Sequence, residues 1–434
     1  MTMKKMTLAA IAVALTIDVL HAENWPGWRG PGGTGVSSES SFPVSWTDAN
    51  IRWKTPIPGR GHSSPIVWGD RVFLTTAIEG DIVPGREKKP EHMLGKEVFV
   101  HPDMVSHDRK QTMKVLAFDA KNGKALWERT AYEGPVADGR HRKSSFASAT
   151  PVTDGKHVFV FFGTEGLYAY DVDGAPAWKQ DLGEIRTLGL GYASSPVLFG
   201  DLVIVQCDED NGEKSFIAAF DRATGKPAWR QSRAVQSSWA TPVLVAAGGR
   251  TELVAAGTEF TIAYDPGTGR ELWRSKGTDS NIIPSPVYGN GMVYVTSGYP
   301  DKSVLAIRSA GSGAEIVWTR ARGTAYVTSP ILVDDALYLS TDRGILTNLD
   351  AKTGEPRYEG GRIPVPASFT ASMVAFGDKI LQASEDGDIF VVQAGATHKV
   401  IATNRLGEPV FASPALSNGV IFIRGEKHLY AIGK

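Results

Sequence analysis

Three histidines and four carboxylates lie close together in one stretch of this 434-residue chain, between residues 78 and 113. They are His92, His101, His107, Glu91, Glu97, Asp103 and Asp108. Nitrogen and oxygen ligands of these kinds bind zinc and other first-row metals. Their spacings fit no compact metal-binding motif, and histidines on a long surface loop are common, so we expect no metal at this position.

Two other stretches resemble ligand-binding loops less closely. The run Asp208-Glu-Asp-Asn-Gly-Glu213 is acidic like a calcium loop, but its Gly is fifth where the EF-hand has it sixth, and the terminal Glu is absent. We therefore predict a solvated acidic turn. The glycine-rich run Gly30–Gly35 follows no predicted strand and opens no helix, so it is not a nucleotide cradle.

The chain contains an internal repeat, and this repeat determines the strands and turns that would hold any binding residues in place. A nine-residue frame begins with Asp, turns at a Thr-Gly or Asn-Gly pair and ends with an aromatic residue. Its copies are Asp119–Trp127, Asp221–Trp229, Asp265–Trp273 and Asp350–Tyr358, with a shorter copy at Asp171–Trp178 and a looser one at Arg308–Trp318. The Asp can accept hydrogen bonds from the turn's own N–H groups, and Gly supplies the positive φ.

A second marker, a Ser/Thr-Pro step before an apolar run, opens each unit. It stands at Ser64, Thr150, Ser195, Thr241, Ser285, Ser329 and Ser413, and Ser372-Met373 fills one more place. The first spacing is 86 residues and the others are 41 to 46, which gives eight units with one insertion, residues 78–113. In the fourth unit, strand-like runs cover Pro242–Val245, Glu252–Ala256, Phe260–Tyr264 and Glu271–Arg274.

Four antiparallel strands in each unit of about 44 residues are typical of a β-propeller blade. The last unit has only three strand-like runs, Phe411–Leu416, Val420–Arg424 and His428–Ile432. An isolated run near the N-terminus, Ile51–Thr55, resembles the missing fourth strand. We therefore predict an all-β fold, an eight-bladed β-propeller of four-stranded antiparallel blades over residues 51–434, closed by this N-terminal strand.

The residues just before each Ser/Thr-Pro step recur at one end of the central channel, because all innermost strands run in the same direction. Those residues are His62, Phe146, Tyr192, Trp239, Ile283, Tyr326, Phe369 and Phe411, and nearby connections add Arg60, Arg140, His141, Arg142, Lys143, Arg186, Arg322 and Arg405. Aromatic side chains with basic neighbours could hold an anionic ligand or a partner peptide. Alternatively, they could simply plug the channel and pack between blades.

The N-terminal pattern predicts that the chain is exported from the cytoplasm. Lys4 and Lys5 precede an apolar run, Leu8–Leu20, and Ala22 is a suitable residue before a cleavage site, so residues 1–22 read as a signal peptide. The single cysteine, Cys207, excludes an intramolecular disulfide and leaves no cysteine for a lipid anchor. Residues 23–50 are rich in Gly, Ser and Pro and read as an arm over the body. A net charge of −1 gives no case for nucleic acid.

The repeat frame and its Ser-Pro-Val opening resemble the pyrroloquinoline-quinone (PQQ)-type propeller repeat. That repeat is found in quinoprotein dehydrogenases and in the propeller subunit of the bacterial outer-membrane assembly machine. Quinoprotein alcohol dehydrogenases of this kind have adjacent cysteines over the quinone and a Glu/Asn/Asp set for calcium. Cys207 is the only cysteine here, so we expect no cofactor and treat PQQ with calcium as the alternative.

We therefore predict a non-enzymatic, monomeric, periplasmic or extracellular scaffold, with no transmembrane segment after cleavage, that binds an envelope protein or peptide at the channel mouth. The residues predicted to bind it are His62, Phe146, Tyr192, Trp239, Tyr326, Phe369, Phe411, Arg60, Arg142 and Arg322. One alternative is a PQQ-dependent oxidoreductase of alcohols or sugars. A second is a saccharide-binding or saccharide-acting propeller, which the mouth aromatics suggest.

Overall fold

The computed structural model of the protein describes residues 23–311 and 313–434. The predicted signal peptide, residues 1–22, lies outside them. Within the described ranges, no helix is long and apolar enough to cross a membrane. Helical structure in these ranges is confined to three short 3-10 turns, Pro31–Gly33, Asp48–Asn50 and Gly163–Glu165.

Eight sheets, each built on four antiparallel strands, form the eight-bladed propeller that the sequence predicts. From the innermost strand outwards, they are Ile66–Trp68, Arg71–Ile82, Arg109–Asp119 and Ala125–Pro135 (blade 1); Val152–Thr153, His157–Phe161, Leu167–Asp171 and Pro176–Gln180 (blade 2); Val197–Phe199, Leu202–Cys207, Phe216–Asp221 and Pro227–Ser232 (blade 3); Val243–Ala247, Arg250–Ala256, Phe260–Tyr264 and Glu271–Lys276 (blade 4); Val287–Gly289, Met292–Ser297, Ser303–Ala310 and Gly313–Arg320 (blade 5); Ile331–Val333, Ala336–Ser340, Leu346–Asp350 and Pro356–Gly361 (blade 6); Val374–Phe376, Lys379–Ala383, Asp388–Gln393 and Val400–Arg405 (blade 7); and Ala415–Ser417, Val420–Arg424, His428–Ile432 and Ile51–Pro56 (blade 8).

Neighbouring blades meet through the repeated tryptophan. Trp178 of blade 2 lies against Gly225 in the turn of blade 3, where an added Cβ would come within 2.6 Å of the indole. The indole Nε1 donates to the carbonyl oxygen of Arg222 in that turn, at 3.0 Å. Asp221 fixes the turn, because its Oδ1 accepts from the backbone N–H of Thr224 at 2.8 Å. The recurring frame of the repeat is thus a contact between blades.

The Ser/Thr-Pro steps form a second set of contacts between blades, around the channel. In each case the backbone N–H of one step donates to the side-chain oxygen of the next, as from Ser64 to Thr150 Oγ1 at 3.0 Å. The series continues through Ser195, Thr241, Ser285, Ser329, Ser372 and Ser413, with distances of 2.9 to 3.0 Å. A hydroxyl at this position therefore joins each of blades 2 to 8 to the one before it, whereas Ser64 Oγ of blade 1 accepts no such bond.

The N-terminal strand closes the ring. Ile51–Pro56 pairs antiparallel with His428–Ile432, so it is the fourth strand of blade 8. Trp53 Nε1 donates to the carbonyl oxygen of Ala120 in blade 1 at 2.9 Å, which repeats the contact between the other blades. The innermost strand of this blade is shorter than predicted, because Phe411–Leu416 was expected and the strand is Ala415–Ser417. Pro414, which has no N–H to donate, immediately precedes it.

The arm, residues 23–50, crosses one end of the channel. Trp25 is fully buried and pairs with Val67 of blade 1 through two backbone hydrogen bonds of 2.8 Å. Further along, Val36–Ser37 adds a parallel strand to the innermost strand of blade 7. Trp28 lies between these points and donates from Nε1 to Ser285 Oγ at 3.1 Å. The arm therefore lies across the channel from blade 1 to blade 7.

The long excursion of blade 1 is partly an extension of its own strands. Arg71–Ile82 and Arg109–Asp119 remain paired well into residues 78–113. Beyond them lies a hairpin, His92–Leu94 with Glu97–Phe99. Met104–Val105 then pairs with Arg140–His141 from the connection to blade 2. The excursion is thus joined to the loops of blades 1 and 2.

Candidate functional site

The central channel contains a cavity of about 450 Å³, which we call the cup. Trp28 of the arm lines it at one end, and its indole position is fixed by the hydrogen bond to Ser285. The opposite end is the mouth that the sequence predicts. Trp239 lines the wall, and its Nε1 donates to the carbonyl oxygen of Gly191 at 2.7 Å, which fixes the plane of the ring.

The structure brings half of the ten predicted binding residues to the cup. Those that line it are His62, Trp239, Tyr326, Phe369 and Phe411. His62 and Phe411 stack with their ring centroids 4.7 Å apart and an interplanar angle of 13°. Ile283, His141 and Lys143, which the sequence also places near the mouth, line the cup as well.

The other five predicted residues do not line the cup. Tyr192 packs between blades, with its ring centroid 4.6 Å from that of Phe161. Phe146 packs against the core between blades 1 and 2. Arg60 reaches a small adjoining cavity and lies 5.9 Å from the ring centroid of Phe411. Arg142 pairs with Asp103, Nε to Oδ1 at 2.8 Å, and Arg322 is exposed away from the cup lining.

Several cup residues come from positions that do not recur in the repeat. They are Trp28, His101, Asn281, Asp342, Arg343 and Glu385. Trp28 is set in the arm, whose path across the channel no local pattern predicts. The signal that could have found Asp342, Arg343 and Glu385 is their position in the turns between the second and third strands of blades 6 and 7, at the same end as the mouth.

The charges of the cup lining balance. Lys143 Nζ pairs with Glu385 Oε2 at 2.9 Å, and a second opposite pair of charges, Asp342 and Arg343, lies in one turn. Burial, together with the charges of Arg60, Arg424 and Arg140, holds the pKa of His62 well below its usual value. Burial also lowers the pKa values of His101 and His141. The three imidazoles are therefore neutral near pH 7, and the lining has no excess of either charge.

The three histidines of the excursion have separate environments. His92 is buried between two carboxylates, with Nδ1 3.0 Å from Asp210 Oδ2 and Nε2 3.2 Å from Asp138 Oδ1. Burial alone would lower the pKa of His92, but the two carboxylates outweigh it and raise that pKa to about 9. His101 lines the cup, and His107 is buried elsewhere. Across the described ranges, no group of three or more His, Cys, Asp or Glu is arranged to hold a metal.

The prediction of a solvated turn at 208–213 is wrong. Asp208 is fully buried and accepts from Arg233 Nε at 2.7 Å, and Arg233 is buried as well. Asp210 is buried against His92 and accepts from the backbone N–H of Leu188 at 2.7 Å. Both partners are distant in sequence, so an acidic composition gave no sign that these carboxylates would be buried as paired ions.

Comparisons with known proteins agree with the fold. The family model described as outer membrane protein assembly factor BamB, a PQQ-type repeat model, matches residues 111–359, more than half of the chain. The chain belongs to this family. The outer membrane protein assembly factor BamB of Burkholderia pseudomallei (strain K96243) is 24% identical over 304 residues, which are 68% of this chain and 65% of that protein. The match thus spans just under two thirds of that relative's length.

Two solved structures share the architecture. The crystal structure of BamB from Moraxella catarrhalis matches with a TM-score of 0.52 at 14% identity, covering 83% of this chain and 99% of that one. The computationally designed protein Ika8 matches with a TM-score of 0.53 at 11% identity, covering 81% and 98%. At these identities the likeness concerns the fold alone.

The cup does not fit the quinone for which the repeat is named. PQQ is a planar tricarboxylate and needs an excess of positive charge around it. Here Lys143 is already paired with Glu385, and Asp342 offsets Arg343. Cys207 lies in the core between blades 2 and 3, outside the cup lining, and burial raises the pKa of its thiol.

Proposed function

We propose that the protein is a non-enzymatic scaffold of the cell envelope that binds a protein partner on the face bearing the mouth of the cup. Membership of the BamB family supports this at a coarse level, since relatives are named for outer membrane protein assembly. The signal-peptide pattern of residues 1–22 supports export to the periplasm or beyond.

The observation that carries the proposal is an exposed apolar hairpin beside the mouth. Nine large hydrophobic side chains are exposed within the described ranges, and five of them lie in residues 78–113. They are Ile82, Met93, Leu94, Val98 and Val100, with 56%, 38%, 44%, 64% and 40% of their surface exposed. Exposed apolar side chains concentrated in one segment are typical of protein-binding sites.

The hairpin is held in place by contacts at its base. His92, its first residue, is clamped between Asp138 and Asp210. The carbonyl oxygen of Glu91 accepts from Arg186 Nη1 at 3.1 Å. Met93 and Val98 are directly opposite each other in the hairpin, so both side chains project from the same face. A fixed apolar pair of this kind presents a preorganised contact to a partner.

The experiment is cross-linking of the full chain in intact cells, followed by purification and mass spectrometry. Wild type is expected to recover a defined envelope protein, and the double variant Met93→Ser/Val98→Ser is expected to lose it. The matched control is Leu126→Ser/Ile316→Ser, which changes two similarly exposed side chains on the outer strands of blades 1 and 5 and should retain the partner. Equal recovery by all three proteins would contradict the proposal.

The enzymatic alternative has its own test. Purified protein is incubated with PQQ and calcium, and dye reduction is then assayed with alcohols and sugars. We expect no quinone-dependent turnover, because the charges of the cup lining are already balanced. Turnover that depends on added quinone would favour the oxidoreductase.

A further inference from the structure

Six hydroxyl groups from six successive steps line the cup. They belong to Ser195, Thr241, Ser285, Ser329, Ser372 and Ser413. Each oxygen accepts a backbone N–H from the preceding step at 2.9 to 3.0 Å. A hydroxyl also has one proton to donate. Within the described ranges, none of these six donates to another protein group, so the cup has a ring of hydroxyl donors suited to a ligand rich in acceptor oxygens.

The walls add flat apolar faces. Trp28 and Trp239 are both fixed by hydrogen bonds from Nε1, to Ser285 and to the carbonyl oxygen of Gly191. Tyr326 and Phe411 line other parts of the same cavity. Because these rings are already fixed, the C–H groups of a ligand can pack against them without further loss of side-chain conformational freedom. A ligand with both apolar faces and oxygen-rich edges matches these walls.

Polar side chains at the mouth both donate and accept. Asn281 lies on the connection from blade 4 to blade 5, Asp342 and Arg343 lie in a turn of blade 6, and Glu385 lies in the equivalent turn of the neighbouring blade 7. Glu385 already accepts from Thr370 Oγ1 at 2.6 Å and pairs with Lys143. The positive and negative side chains are equal in number, so a charged ligand would leave one charge unpaired on desolvation.

We propose that the cup binds a neutral saccharide of about two sugar units. Its hydroxyl oxygens accept from the ring of serine and threonine hydroxyls, its C–H faces lie on Trp28 and Trp239, and Asp342 and Arg343 bind its outer hydroxyls. The cavity volume of about 450 Å³ is within the range of small-ligand sites. The proposal depends on the cup alone and is independent of the protein partner of the hairpin.

The test is calorimetric titration of the full chain with cellobiose, maltose and diacetylchitobiose, followed by tryptophan fluorescence. At least one of these neutral disaccharides is expected to bind and change the tryptophan emission. Cellobionate, the acidic counterpart of cellobiose, is expected to bind at least about tenfold more weakly than the neutral sugar, because Asp342 repels a carboxylate that approaches Arg343 in the same turn.

Variants at exposed positions keep the test separate from folding. Asp342→Asn is expected to weaken binding of the neutral sugar about tenfold, since a bond to a charged acceptor is lost. The same variant should narrow the difference between cellobiose and cellobionate, because it leaves Arg343 without an opposing charge. The control, Arg308→Gln on the outer side of blade 5, should bind like wild type.

Three outcomes would overturn the inference. The first is the absence of binding by all three neutral disaccharides at about 10 mM. The second is binding that Asp342→Asn leaves unchanged. The third is loss of sugar binding in the variant Met93→Ser/Val98→Ser, which would place the sugar at the hairpin. Conversely, sugar binding that survives in the hairpin variant while the protein partner is lost shows that the two sites are separate.

Discussion

At the outer edge of the ring the blades meet through one contact used five times, whereas around the cup they contribute different side chains. The five tryptophans Trp53, Trp127, Trp178, Trp229 and Trp318 each lie on a turn glycine of the next blade and donate to a carbonyl of that turn. The cup instead combines Trp28, His62, Trp239, Tyr326 and Asp342. Residues that recur in register build the ring, and residues that differ from blade to blade give it a recognition surface.

Three of the eight contacts between neighbouring blades depart from this rule, and the one between blades 4 and 5 shows what the rule requires. Trp273 of blade 4 faces blade 5, whose copy of the frame lacks the Asp-x-x-Thr-Gly turn. Its Nε1 instead donates to Glu252 Oε2 at 2.7 Å. Glu252 is fully buried and also accepts from Ser309 Oγ of blade 5 at 2.9 Å. Where the turn is missing, a buried carboxylate takes over its role as acceptor.

Deletion of residues 51–57 should have the largest effect. It removes the fourth strand of blade 8 and the seam contact of Trp53, and leaves the edge of His428–Ile432 unpaired. We expect loss of the folded monomer, seen as aggregation in size-exclusion chromatography and the absence of a cooperative melt. A deletion variant that melts like wild type would show that the ring is stable without its closing strand.

Glu252→Ala should be the next most damaging change. It leaves the buried N–H of Trp273 without an acceptor and removes the bond from Ser309. We expect a loss of about 3 kcal/mol in the free energy of unfolding, measured by denaturant titration. Glu315→Gln, on an exposed strand of blade 5, is the control and should be near neutral. A near-neutral Glu252→Ala would mean that this seam needs no substitute acceptor.

Alanine substitution at two glycines with similar backbone conformations distinguishes packing between blades from backbone strain. Gly225 has a φ of 71° and an added Cβ would lie 2.6 Å from Trp178, whereas Gly200 has a φ of 53° and no neighbour within 4 Å. Both alanine variants should lose about 1 kcal/mol from the left-handed backbone. Gly225→Ala should lose about 2 kcal/mol more, because the indole must move. Equal losses for the two variants, by thermal melts, would remove the packing argument.

The smallest predicted effect is a pH dependence near the cup. The pKa of His92 is raised from 6.5 to about 9, so its stabilisation is fully present below pH 6.5 and is lost as the pH rises through 9. We expect the free energy of unfolding to fall over this window. His92→Gln should abolish the slope, and His398→Gln, on the connection from blade 7's third to fourth strand, should keep it. Identical pH profiles of stability for wild type and His92→Gln would contradict the role of the contacts of His92 with Asp138 and Asp210.

The cup was only partly predictable because the side chains in it come from two kinds of position. His62, Trp239, Tyr326, Phe369 and Phe411 stand at a fixed place in the repeat, so the repeat predicts that they converge. Tyr192 stands at the same place but packs against Phe161, since its rotamer takes it between blades. The repeat gives the backbone position of a residue and leaves its side-chain direction to the neighbours.

The sequence by itself determined the number of blades, the strands of each blade and the closing partner of the last one. These features depend on local turn chemistry and on alternation that recurs eight times, and repetition makes a weak local signal strong. Only the tertiary structure decided that the arm lines the cup with Trp28, that Asp208 and Asp210 are buried, and that the charges of the cup lining balance. Each of these depends on a single contact between residues distant in the chain, such as Asp208 with Arg233 or Lys143 with Glu385, and a contact that occurs once leaves no periodic trace.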